Sequence, residues 1–206
     1  MKTVALFRRR PDLTRTAFRD YYETRHAPLA VQHVRFRKYV RNHVVAPADG
    51  DFDVLSEFWL EDAKGPAALD GSPAATMLRG DALEFMDKDS HRAFALEELI
   101  AGEPRAVETA AARKYILLMA RPESVAQAEF LDLVRNWGMM LFAGKVLSRV
   151  TMDVVTPMAG SSFPAEAIIS LWPNERFSDA ALAQGAGLIT IESCETPPEA
   201  LTAAFR

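Results

Sequence analysis

A strand opening that occurs twice, an order of elements that occurs twice, and an apolar sheet face that each copy must bury together predict an α+β fold. In that fold two tandem ferredoxin-like βαββαβ units form one α/β barrel, an intrachain pseudodimer. The openings Lys2–Pro11 and Lys114–Pro122 are short apolar runs that end in arginine and proline. Proline cannot donate to a β-ladder, so each run reads as a buried strand with a defined stop.

A helical pattern comes after each opening. Phe18, Tyr21, Tyr22 and Leu29 lie on one apolar stripe, with Thr14 as its N-cap. Phe130, Leu133, Val134, Trp137 and Leu141 form the corresponding stripe, and Ser124 with Gln127 has the spacing of a capping box. Two strands come next in each half: Phe36–Ala46 and Phe52–Leu60, then Val146–Pro157 and Ala165–Pro173. The later strand of each pair carries a tryptophan near its end, Trp59 or Trp172. A second helix is expected near Pro73–Met86 and near Ser178–Gln184, and a last strand near Ala93–Leu99 and Leu188–Glu195. The units are therefore 1–100 and 113–206, joined by a linker at 101–112 that contains Gly102 and Pro104. One such unit leaves a face of its sheet bare, and two units can bury those faces against each other.

Composition narrows the function classes. Hydrophobic residues make up 49% and charged residues 25%, as in a globular protein. No run approaches the ~18 apolar residues of a membrane span. The start, Met1–Phe7, passes straight into an arginine cluster, the wrong order for a secretory signal. Cys194 is the single cysteine, which offers neither a disulfide nor a metal-ligand pair, so a cytoplasmic location is expected. Residues 1–45 are basic, with eleven Lys and Arg against Asp12, Asp20 and Glu23. These charges are spread over two strands and a helix without a nucleic-acid motif, and read as a solvated cationic face.

The first half resembles the EthD family of dimeric α/β-barrel proteins, over about residues 1–100. The resemblance rests on Val4–Pro11, Leu13-Thr14, Phe18-Arg19-Asp20-Tyr21-Tyr22 and His26-Ala27-Pro28-Leu29-Ala30. It continues through Tyr39–Val44, Phe52-Asp53, Glu57-Phe58-Trp59 and Asp81–Asp87, where Ala82 stands at a position the family usually gives to an acid. The second half shares the element order without these motifs. Superposing the halves puts Gly138 opposite His26, Arg149 opposite Tyr39, Asp153 opposite His43, Glu166 opposite Asp53 and Ser170 opposite Glu57. Most of the titratable set thus occurs once, which predicts one pocket per chain, built from residues 5–90 and closed by the second sheet.

Strand side chains alternate, so Tyr39, Arg41 and His43 share one face, as do Asp53, Leu55, Glu57 and Trp59. Burying Tyr, His, Asp and Glu under helices is costly unless they are paired, which favours Tyr39, His43, Asp53 and Glu57 in the barrel lumen. Val40, Val44, Val54 and Phe58 then face the helices. The expected catalytic set is His26, His43, Tyr39, Glu57 and Asp53, with Arg41, Phe7, Leu55 and Trp59 holding substrate. His26 stands where the first helix is expected to stop before Pro28, and it serves either as a helix cap or as an acid/base at the pocket mouth. Asp81 and Asp87 read as residues that set local geometry, and His33 and His91 as loop or surface residues.

Phosphate loops, nucleotide fingerprints, nucleophile elbows and cysteine clusters do not occur, so no cofactor and no metal are expected. Haem bound through a lone histidine, His26 or His43, as in some barrel relatives, is the weaker reading. The leading expectation is an enzyme that uses acid/base chemistry on a small apolar carbonyl or aromatic compound. The resemblance implies an oxidoreductase, while dehydratases (lyases) also occur in the family. The alternative is a binding or accessory protein for a hydrophobic metabolite or a partner oxygenase. Neither a nucleic acid nor a membrane is expected as partner, and a homodimer of whole chains stays open.

Overall fold

The computed structural model describes residues 1–46, 51–61, 71–103, 113–177 and 188–203. Strand β1 (Lys2–Arg9) leads into α1 (Arg15–Tyr21), a π turn (Tyr22–His26) and α2 (Ala27–His33). Strands β2 (Phe36–Ala46) and β3 (Val54–Leu60), helix α3 (Pro73–Ala82) and strand β4 (Met86–Gly102) complete the first half. The second comprises β5 (Arg113–Met119), α4 (Gln127–Ala143), β6 (Leu147–Pro157), β7 (Ala167–Pro173), β8 (Ile189–Glu195) and α5 (Pro198–Ala203). All eight strands pair antiparallel in a closed barrel of order β1-β3-β2-β8-β5-β7-β6-β4. The expected helix near Ser178–Gln184 lies outside the described residues. No described helix is long and apolar enough to cross a membrane.

Several boundaries differ from expectation for local reasons. Strand β4 begins at Met86, because Met86 pairs with Arg9, and runs through Ala101 and Gly102 to meet Arg149 on β6. The first two residues of the expected linker therefore belong to the sheet. Gly102 sits at φ 91°, and a Cβ there would lie 2.3 Å from the Ser148 carbonyl oxygen, so this strand end requires glycine. Thr14 caps α1 by accepting from the Ala17 N–H at 3.1 Å. The capping box at Ser124 does not form: the Val125 N–H bonds to the Pro122 carbonyl, and the helix starts two residues later with Ala126 as its cap.

Which side chains enter the lumen is settled by one apolar cluster. Val4 and Leu6, Val44, Leu55, Ala93, Ile116, Val155, Ile168 and Ile191 pack together, and every one of the eight strands contributes. Such a set can meet only inside the barrel. The opposite faces carry Ala5, Phe7, Tyr39 and Val54 under the first-half helices, and Tyr115, Val150, Met152, Ile169 and Leu171 under α4. On α4, Phe130, Val134 and Gly138 are buried, while Leu133 turns out to solvent.

The other end of the lumen is ionic. Lys2 Nζ donates to Glu57 Oε1 at 3.0 Å, to Glu97 Oε2 at 2.8 Å and to both Asp153 oxygens at 2.8 Å. Lys114 Nζ donates to Glu57 Oε2 at 3.1 Å and to Asn42 Oδ1 at 3.2 Å. Asn42 also donates to Glu57 Oε2, and accepts from Ser193 Oγ at 2.8 Å. Two tryptophans cover the cations, with Lys2 Nζ 4.4 Å from the Trp59 ring and Lys114 Nζ 4.8 Å from that of Trp172. Burial works against the charge on Lys2, but Asp153, Glu57 and Glu97 more than offset it and raise its pKa. Burial likewise opposes the Glu57 charge, yet Lys114 and Lys2 hold that carboxyl far below its usual range. Asp153 is pushed up to about 6 because burial outweighs the pull of Lys2, with the neighbouring Glu57 and Glu97 charges adding to the rise.

Removing one partner from this network leaves a charge stranded. Glu57→Leu is expected to cost about 3–5 kcal/mol in denaturant unfolding at pH 7. Asp153 binds its proton more tightly folded than unfolded, so its own contribution to stability falls as the pH rises from about 4 through about 6. Comparing Asp153→Asn with the parent across that window should show the decline removed.

Candidate active site

The chain entering the site is a helix interrupted once. Pro28 has no N–H to give and would crowd a regular turn before it, and the chain answers with a wider one: the Ala27 N–H bonds to the Tyr22 carbonyl, five residues back. The helix therefore continues past Pro28 rather than stopping, and His26 is not at a helix C-terminus. The buried stripe takes one five-residue step, Phe18, Tyr22, Ala27, Ala30 and Val31. In a regular α-helix residues five apart point about 140° away from each other. Across the π turn Tyr21 and His26 come round to the same acceptor, Asp81 on α3.

That convergence makes a hydrogen-bonded triad. Tyr21 Oη donates to Asp81 Oδ1 at 2.9 Å, and His26 Nδ1 lies 2.7 Å from Asp81 Oδ2. The carboxylate selects the tautomer in which Nδ1 carries the proton, which leaves Nε2 as the basic nitrogen. Burial lowers the His26 pKa, Asp81 opposes that by hydrogen bond and charge, and Arg92 adds to the lowering. The net effect is downward, so His26 is neutral at pH 7. Burial and the Asp81 carboxylate together raise the Tyr21 pKa and keep it a donor.

His26 lines a cavity of about 360 Å³ between the outer face of the first-half sheet and the helices α2 and α3. Thr3, Ala5, Phe7, Tyr22, Phe36, Tyr39, Phe58, Leu78 and Met86 are part of its wall, and Arg79 and Arg92 its cationic part. Three wall rings lie nearly parallel: Phe36 and Tyr39 stack at 4.8 Å and 23°, and Tyr39 and Phe58 at 5.0 Å and 27°. The cavity is thus under the helices and not in the lumen, and from the second half it receives Met158. The expectation that the second sheet closes the pocket is corrected: helices close it.

Of the expected site residues, His26, Tyr39 and Phe7 line the cavity. Tyr39 and His43 face the helices, contrary to expectation, because both are paired there. Tyr39 Oη donates to Tyr22 Oη at 2.9 Å, and Tyr22 Oη lies 2.8 Å from Ser56 Oγ. Burial raises the pKa of both tyrosines, so they stay protonated and bonded to each other. His43 Nε2 lies 2.6 Å from Glu23 Oε1, while Arg41 Nη2 donates to Glu23 Oε2 at 2.7 Å. Burial opposes the Glu23 charge, but His43 and Arg41 hold its pKa down at about 2. His43 and Arg41 are therefore engaged with Glu23 beneath the π turn, outside the cavity. Asp53 is buried against Arg9 and Arg15, accepting the Arg9 N–H at 2.9 Å and Arg15 Nε at 3.0 Å. Glu57, Leu55 and Trp59 face the lumen as expected, but there they fill it with Lys2, Lys114 and the apolar cluster. Of the valines expected under the helices, Val44 is in the lumen and Val54 is under the helices.

In the sequence Asp81 reads as a geometry-setting residue and Tyr22 as part of an apolar stripe, while Arg79 and Arg92 carry no assigned role. It is the packing of α3 and β4 around the π turn that brings them to the site. The basic N-terminal segment also reads differently. Arg10 pairs with Asp12, Arg19 with Glu192, Arg9 and Arg15 with Asp53, and Arg41 with Glu23, so much of it is structural. Two described groups have the make-up of metal ligands, Glu23–His43–Cys194 and Glu57–Glu97–Asp153. The Lys2 ammonium already bridges the second, and Arg41 and Arg19 stand on Glu23 and Cys194 in the first. In the second half a Cβ on Gly138 would sit 3.3 Å from both Ile100 and Val150. There the helix lies directly on the sheet and leaves no room for a histidine.

Residues 10–89 match the EthD domain. No curated protein matches the sequence. Among solved structures the chain resembles an anthrone oxidase-like protein, at 9% identity and TM-score 0.62 over 95% of this chain and 92% of that one. It also resembles a candidate monooxygenase from Fusobacterium nucleatum subsp. nucleatum, at 12% identity and TM-score 0.51 over 93% and 91%. At these identities the likeness is one of fold.

The triad sets a measurable order of pKa values. Titrated by NMR, His26 should fall below the ordinary 6.5. Asp81→Asn should lower it further, because the raising partner is gone, and Arg92→Met should raise it. A value above 6.5 in the parent protein would contradict the geometry.

Proposed function

We propose, from the match of residues 10–89 to the EthD domain, that the cavity under helices α2 and α3 is an active site for proton transfer. The observation that carries this reading is the neutral His26, with Nδ1 on Asp81 and Nε2 as the base on the wall of an apolar cavity. Tyr21 positions Asp81, Asp81 positions His26, and His26 removes a proton from carbon next to a carbonyl or from a phenol. Asp81 stabilises the imidazolium that forms. The stacked rings of Phe36, Tyr39 and Phe58 suit a flat, largely apolar substrate. The fate of the resulting anion decides between oxidation by oxygen, dehydration and isomerisation. The fold likeness to an anthrone oxidase-like protein favours oxidation of an aromatic carbanion.

The architecture is consistent with two fused ferredoxin-like units, 1–100 and 113–206. Strand order β4-β1-β3-β2 in the first is repeated as β8-β5-β7-β6 in the second. On this reading the first unit carries the chemistry and the second completes the barrel. A binding role without turnover is the second reading, favoured by the Tyr22 and Tyr39 hydroxyls being bonded within the protein.

Solvent exchange separates the two. A panel of aromatic ketones and phenols in deuterated buffer should show protein-dependent deuterium uptake next to the carbonyl or on the ring, monitored by NMR. His26→Ala should slow it by about 10²-fold or more, and Asp81→Asn by less. Uptake that His26→Ala leaves unchanged would sink the acid/base assignment and leave the binding role.

A further inference from the structure

The charge on the cavity wall says what class of molecule the cavity takes, an inference that rests on reading this cavity as the substrate site. Among the described residues the wall carries three basic side chains, His26, Arg79 and Arg92, and no carboxylate. Asp81 lies behind His26 with one oxygen engaged by the imidazole and the other by Tyr21. Both of its oxygens are thus engaged within the protein. Arg79, in the last turn of α3, and Arg92, on β4, both keep an exposed face while lining the cavity, which places them at its mouth. The Arg92 guanidinium is 5.6 Å from the centre of the Phe7 ring, which lies on the same wall. A guanidinium has five N–H donors in a fixed fork, so it can keep protein contacts and still receive a carboxylate.

An apolar cavity with cations at its mouth matches a molecule built the other way round. We propose that the site takes an amphipathic organic anion: a flat apolar body lies along Phe36, Tyr39 and Phe58, and a carboxylate or phenolate meets Arg92 at the mouth, with Arg79 adding to the field. This role replaces the one expected for Arg41, which is spent on Glu23. It also couples binding to the base. Arg92 disfavours the His26 imidazolium, and an anion on Arg92 cancels that repulsion. Anion binding should therefore raise the His26 pKa, and by linkage binding should tighten as the pH falls toward that value.

The test uses the full chain and two matched pairs, 2-naphthoate with 2-naphthamide and benzoate with benzamide, titrated by calorimetry at pH 8. At least one acid should bind about 10- to 100-fold tighter than its amide, the range of a charge-assisted hydrogen bond. Arg92→Met should abolish that preference while the amide affinity holds, Arg92→Lys should restore part of it, and His26→Ala should retain it. Equal affinity for acid and amide, failure of both acids to bind, or a preference that survives Arg92→Met combined with Arg79→Met would each overturn the proposal. The two readings fail separately. Deuterium uptake lost in His26→Ala, with acid and amide bound alike, would remove the anion site and keep the base. An acid preference with uptake indifferent to His26 would do the reverse.

Discussion

Glu57 stands between two buried ammonium groups, Lys2 from the first half of the chain and Lys114 from the second. Much of the structure depends on that arrangement. A carboxylate buried in the lumen has no water to solvate it, so it is tolerable only with both cations in place. Shifting β3 by one residue would turn Glu57 out of the lumen and bring Ser56 and Phe58 in. The ion network therefore fixes the parity of β3, and through the ladders that of β1 and β2. With the parity set, Phe7, Tyr39, Ser56 and Phe58 must face the helices, where they form the cavity wall and the bond that anchors Tyr22.

The cavity needs a second device, because a helix packed closely on that wall would fill it. The π turn supplies one. It adds a residue to the helical turn before Pro28, keeps Tyr22 on the sheet and swings His26 toward α3. In the second half Gly138, which the sequence aligns with His26, lies in an uninterrupted helix, and a Cβ there would press on Ile100 and Val150. The same fold thus makes a packed helix–sheet contact in one half and a cavity in the other. The difference lies in one proline, one inserted residue and the size of one side chain.

How much of this was legible in the sequence depends on the range of each interaction. Strand and helix order are carried by local periodicity and by proline stops, and residues such as Pro11, Thr14 and Trp59 mark them within a few positions. Which face of β2 enters the lumen is not local. Tyr39 and His43 looked costly under helices because their partners, Tyr22 and Glu23, sit 17 and 20 residues away on an element whose phase the π turn alters. The rule that buried polar groups need partners held; what the sequence did not reveal was where the partners were. Asp81 was hidden for the same reason, 55 residues from His26 and on another helix. His26 itself was identifiable, but for a helix end that the chain does not have.

The chemistry of the site derives from what surrounds one imidazole. A carboxylate alone would raise the His26 pKa and favour the cation, the wrong state for a base at pH 7. Burial and the Arg92 charge outweigh Asp81, so the ring is neutral while its tautomer and orientation are still set by the carboxylate. Asp81 thus sets the orientation, while burial and Arg92 outweigh its effect on basicity. Burial is the main cause of the neutral His26 and Arg92 adds to it. An anion that neutralises Arg92 would remove that addition, so the arriving molecule would itself strengthen the base that is to act on it. A cavity that merely stored an apolar compound would have no use for that coupling.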